Sequence, residues 1–247
     1  MAINLLVLFF SAFAPGILAL FVPQNQGNKY KLALVFAGAY LFAITIIHIL
    51  PELFARSTDP ITIGLYILVG FFVQQILEYF SAGAEHGHMH EHEGDHKHGK
   101  SSAIMVLIAL SVHSFLEGSL LAHPSTIHAH HESMSLLAGI VLHKAPAAFA
   151  LMSILLCHLK KRNTAIIFLL IFSLASPVGL FLGDYYVEGN AFSPKIFTIL
   201  FAIVSGSFLH ISTTIIFETN TSHSFNPKKL GVAIMGAFIA VAAELYF

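Results

Sequence analysis

Two neighbouring apolar stretches carry residues whose types and spacing can do chemistry. The first reads SVHSFLEGSLLA, with His113 and Glu117 four residues apart. On a helix that spacing puts both side chains on one face, and Ser114, three before Glu117, flanks it. The second reads GIVLHKAPAAFAL and sets His143 beside Lys144, with Pro146 close behind. Two imidazoles and a carboxylate suit a divalent transition metal, zinc foremost, and Fe2+, Mn2+, Co2+ and Cd2+ accept the same donors. The alternative is a set of satisfied intrahelical hydrogen bonds. Three such residues on adjacent apolar helices argue against it, because lipid penalises every unpaired polar group.

Lys144 needs a partner there or must lose its proton. Glu117 is the nearest counter-ion, so Lys144 would supply the positive charge that a second metal ion would otherwise bring. A lysine that snorkels along a water-filled cavity is the other reading. Pro146 removes the hydrogen bond to the Leu142 carbonyl, which predicts a kink and a freed oxygen beside a cavity.

Weaker signals lie elsewhere. His48 and Glu52 bracket Pro51 in HILPE and serve either the pathway or the end of a helix. Ser176 precedes Pro177 and places a hydroxyl at a second kink. His210, near Ser212, is a candidate exit or proton-accepting residue, with Glu218 further along. Glu78 reads as an interfacial charge.

Composition fixes what must position these residues. Of the 247 residues, 56% are hydrophobic and 10% charged, and mean hydropathy is +0.79. A soluble domain carries about 25% charged residues. A net charge of −1 argues against nucleic-acid binding, which needs a basic face. The single cysteine, Cys157, excludes an internal disulfide or a cysteine-only metal site.

Spanning a bilayer takes about 20 apolar residues in a helix. Eight stretches qualify: 3–22, 32–50, 61–80, 103–122, 134–157, 164–182, 196–217 and 230–247. They are continuously apolar rather than alternating, so they are helices and not barrel strands. The first lacks a basic leader and is read as a span rather than a signal peptide. The predicted fold is an all-α integral membrane protein, one domain over 1–247. Connections after odd-numbered spans hold Lys29, Lys31, Lys97, Lys100, Lys160, Lys161, Arg162, Lys228 and Lys229; the others hold only Arg56 and Lys195. That asymmetry puts the odd-numbered connections in the cytosol and both termini outside. Gly179 and Gly183 form a small-xxx-small pair, and Gly139, Gly206 and Gly236 are further places for close helix contact.

Two connections are rich in histidine. The cytosolic one, within 81–102, contains His86, His88, His90, His92, His96 and His98 among acidic residues. It suits weak, exchangeable metal binding and is too polar for a packed core. The outer one holds His123, His128, His130, His131 and Glu132, placed to gather metal at the mouth.

The motifs HSFLEG at 113–118 and HKAPA at 143–147, with HILPE at 48–52 and SPVGLFLG at 176–183, together resemble the ZIP family of metal transporters. The resemblance covers nearly the whole chain. It implies import of metal toward the cytosol, with the metal as cargo and no cofactor or catalytic residue. By position, His113, Ser114, Glu117 and His143 match the family's ligands. Many members carry a second carboxylate where Ala147 stands, and some a glutamate where Ser176 stands. Lys144 and Ala147 therefore make this chain similar to members that use one metal. The resemblance also implies an elevator-like shift of one helix bundle against another, often in a homodimer, within the cell membrane. Metal release would be favoured by protonation of the histidines.

Three rivals remain at this stage. An intramembrane metalloenzyme would want the same donors, but HExxH is missing. A cation-diffusion exporter would need a large cytosolic domain. A sensor or store would need only the histidine loop and an anchor.

Overall fold

Helices that are apolar throughout satisfy their own backbone groups, the condition for standing in lipid. In the computed structural model this is the rule among the described residues. It describes residues 1–21, 28–55, 57–81, 100–122, 132–159, 161–188, 194–218 and 226–246. Among them the chain is helical, with no strand. The helices are α1 (Ala2–Leu18), α2 (Asn28–Ile44), α3 (Leu50–Ala55), α4 (Pro60–Ser81), α5 (Lys100–Leu120), α6 (Glu132–His158), α7 (Arg162–Glu188), α8 (Pro194–Glu218) and α9 (Pro227–Tyr246). Six helical segments among the described residues are long and apolar enough to cross a membrane, and α1 is a shorter apolar helix. The outer face of α4 exposes Leu65, Leu68, Phe72 and Ile76, as a lipid-facing surface does. The protein is thus an α-helical, multi-pass membrane protein.

One expected break is not a break. The second stretch is predicted to stop before Pro51, but the rod runs on to Ala55. Between α2 and α3 lies a π-helical turn, Thr45–Ile49, in which the Leu50 amide donates to the Thr45 carbonyl. The wider turn sits just before Pro51, where the ring would otherwise press on a carbonyl four residues back. Helices α6 and α7 likewise continue through Pro146 and Pro177. At the other extreme, α1 ends at Leu18, short of the expected 22.

The helices sort into two bundles. In the first, α1 packs on α6 and α7, and α5 lies along α7. Its own core joins Ala12, Leu107, Leu110, Leu151, Leu155 and Phe172. In the second, α2 lies along α9, and α4 along α8, with α2 also on α8. A larger core, centred on Leu41, Ile44, Phe208 and Ile211, joins the two.

The α5–α7 pair is close, as the α4–α8 pair is at Gly70 and Gly206. A Cβ added at Gly118 would collide with the Ser176 carbonyl, and one at Gly179 with the Phe115 carbonyl. Backbone meets backbone at these two glycines, the close approach that small residues allow between membrane helices. It brings Ser176 against Ser114.

Candidate metal site

Helix α5 contributes His113, Ser114 and Glu117; α6 contributes His143 and Lys144; α7 contributes Ser176. All six are buried inside the protein. A nitrogen from each of His113 and His143 and an oxygen of Glu117 lie within 4.8 Å of one another. They surround a cavity of about 10 Å³, lined also by Leu110, Ala147, Phe172 and Ile211. That is space for about one water-sized occupant.

The Glu117 carboxylate faces two ways. Its Oε1 lies 2.6 Å from His113 Nε2 and also meets His143 Nε2. Its Oε2 accepts a hydrogen bond from Lys144 Nζ at 2.7 Å. The ammonium also donates to Ser176 Oγ at 2.6 Å, and Ser176 Oγ donates onward to the Ser114 carbonyl at 2.5 Å. A buried lysine is costly unless paired and fully hydrogen-bonded, and this one has both a carboxylate and a hydroxyl.

His143 Nδ1 donates to the Gly139 carbonyl at 2.8 Å. A carbonyl only accepts, so Nδ1 carries a proton, and Nε2 is the nitrogen that faces Glu117. Histidine ligands of metals are commonly oriented by such a backbone bond at the other nitrogen.

The remaining candidates lie elsewhere. His48, on the π turn, pairs through Nδ1 with Glu244 Oε1 of α9 at 2.7 Å, and its Nε2 lies 3.7 Å from Glu52 Oε2. His210 of α8 pairs through Nε2 with Glu78 of α4, its ring edge-on to Phe71. Both pairs belong to the second bundle, apart from the central cavity. Glu78 is thus more than an interfacial charge, since it joins two helices. Glu244 goes unnoticed in the sequence, although it is the single acidic residue of an apolar stretch, which is itself a signal. His86, His88, His90, His92, His96 and His98 lie outside the described residues, as do His123, His128, His130 and His131.

The model of the family described as ZIP zinc transporter matches residues 80–243, which includes all six residues of the central cluster. The chain belongs to the ZIP zinc transporter family. That family is one of transporters rather than enzymes. Among curated relatives, zinc transporter ZIP9 of Xenopus tropicalis is 28% identical over 172 residues, covering 67% of this chain and 56% of that protein. Zinc transporter ZIP9 of Micropogonias undulatus is 30% identical over 155 residues, covering 61% and 49%. Protein zntD of Dictyostelium discoideum is 34% identical over 125 residues, covering 49% and 18%. The chain thus spans about half or less of the length of most of the curated ZIP relatives it matches.

Proposed function

We propose that this chain carries a divalent transition metal, zinc foremost, across the membrane toward the cytosol, and that His113, Glu117 and His143 hold the ion in transit. The observation that carries the reading is the convergence of these three donors, from two helices, on one buried cavity. Two imidazoles and one carboxylate oxygen leave room for a water or for Ser114, so the ion is held without being caged.

Lys144 occupies the far side of Glu117. It neutralises the oxygen that a second metal would otherwise engage, so the site takes one ion at a time. Ser176 holds the ammonium in place. The outer histidines His123–His131 gather metal, and His210 with the segment His86–His98 receives it. Eight helices span the membrane, with both termini outside, in a single domain over 1–247. The plasma or inner membrane is the proposed location, and a homodimer the proposed assembly.

The test is zinc uptake into proteoliposomes with an internal zinc dye. Glu117→Ala should abolish uptake, whereas deletion of Gly87–Gly99 should only reduce it. Flux indifferent to Glu117 would sink the site assignment. No flux in the parent protein would sink the transport reading.

A further inference from the structure

All the proposed metal donors belong to the first bundle, but two of them pack against a ring that does not. Phe208 is fully buried on α8, a helix of the second bundle. Its ring centroid lies 6.4 Å from that of His113 and 6.1 Å from that of His143. The ring planes are steep to both imidazoles, at 79° and 73°. These are edge-to-face distances, a packing that aromatic rings favour. Ile211 is one turn further along the same face of α8 and lines the cavity itself. The donors are almost out of contact with water: His113 is 5% exposed, Glu117 1% and His143 6%.

This geometry has a physical cost for an arriving ion. A hydrated divalent cation is far larger than a cavity with space for about one water. It reaches the donors only when the bundles shift enough to lift the ring from the imidazoles, and it must leave its water behind before they close again. We propose that Phe208 is the gate of the site: an aromatic plug on the second bundle that seals the donors while the first bundle passes. The inference rests on the proposed metal site. Phe208 itself binds no metal and acts through the two imidazoles and through exclusion of water.

The experiment reads water access rather than flux. In a Cys157→Ser background, Ala147→Cys places a reporter thiol on the cavity wall. The protein is reconstituted in phosphatidylcholine vesicles, and a membrane-impermeant methanethiosulfonate reagent is applied from outside or trapped within. With Phe208 present, labelling should be slow from both sides, because the rate follows the fraction of time the site is open. Phe208→Ala should raise it about tenfold or more, and from both sides at once. Phe208→Leu, which fills most of the same volume, should bring it back toward the parent rate.

A thiol binds zinc itself, so the metal site is read separately, without the reporter cysteine: zinc should raise the thermal unfolding midpoint of the parent, and Glu117→Ala should abolish that rise. If the zinc-dependent rise is present and needs Glu117, but Phe208→Ala labels no faster than the parent, the gate is refuted and the metal site stands. If zinc leaves the midpoint unchanged, or raises it equally in Glu117→Ala, the metal site falls and the gate with it. Should Phe208→Ala fail to give a monodisperse protein, Phe208→Val carries the same test with the same expected direction.

Discussion

The carboxylate of Glu117 is divided between two partners of different kinds. One oxygen faces two imidazoles; the other is bound to an ammonium that also donates to Ser176. Removing the ammonium leaves a buried, uncompensated carboxylate, at a cost of about 3–5 kcal/mol. Lys144→Met is therefore expected to lower the thermal unfolding midpoint in detergent. Zinc should then raise that midpoint more in the variant than in the parent, because the ion supplies the missing charge. An equal zinc shift in both proteins would refute the compensating role. Ser176→Ala should act more mildly, since it removes one acceptor and leaves the ion pair. Its zinc uptake is expected to fall about 10-fold or more, the usual consequence of loosening a partner behind a metal ligand.

At this scale the sequence was readable for a specific reason. Ionisable residues stand out in apolar runs, and a spacing of four fixes a shared helical face, so His113 and Glu117 could be paired before any fold was known. Phe208 could not. It is one of 23 phenylalanines in a chain that is apolar almost everywhere, and only its tertiary position sets it apart. The His48–Glu244 and His210–Glu78 pairs join residues 196 and 132 positions apart, a separation that no local pattern encodes.

The elements owe their placement to small residues as much as to large ones. Gly118→Ala is expected to destabilise the protein by about 1–3 kcal/mol, because the added methyl meets the Ser176 carbonyl, which cannot give way as a side chain would. Gly64→Ala is the control. Nothing lies within 4 Å of its added Cβ, and better helix propensity should stabilise by about 0.5–1 kcal/mol. Thermal unfolding of both variants checks the pair; equal effects would remove the close-packing account.

Helix α4 begins at a polar cap. The Asp59 carboxylate accepts hydrogen bonds from the Thr62 hydroxyl at 2.5 Å and the Thr62 amide at 3.2 Å. Those bonds favour the charged form and lower the Asp59 pKa below the usual aspartate range. A lowered folded-state pKa gives stability that is present above the unfolded value and is lost as pH falls through the folded one. Protection of the Thr62 amide against hydrogen exchange, corrected for intrinsic rate, should therefore decline in acid below the aspartate range. In Asp59→Ala it should be low at every pH. The π turn at Thr45–Ile49 shows the opposite limit on reading. Pro51 announces that something must yield, but a stop, a kink and a wider turn answer the proline equally well, and the surrounding packing selects among them.

In the whole molecule, the donors ride on one bundle while the plug stands on the other. Under the proposed function, relative motion of the two is the transport step. A disulfide between cysteines at Ile44 of α2 and Gly139 of α6, where an added Cβ at Gly139 comes 3.6 Å from the Ile44 side chain, would tie the bundles together. In a Cys157→Ser background, oxidation should stop zinc uptake and reduction should restore it. Uptake that continues through complete cross-linking would rule out motion at this contact.

The Glu117–Lys144 pair also has an electrical meaning. A carboxylate and an ammonium cancel, so this pair contributes no net charge to the moving bundle when it travels empty. Loaded, the bundle carries the two charges of its passenger. A transmembrane voltage does work of about 2.3 kcal/mol per elementary charge per 100 mV. Under the proposed function, an inside-negative voltage would therefore pull the loaded site toward the cytosol, and the ion pair itself would add nothing to that work.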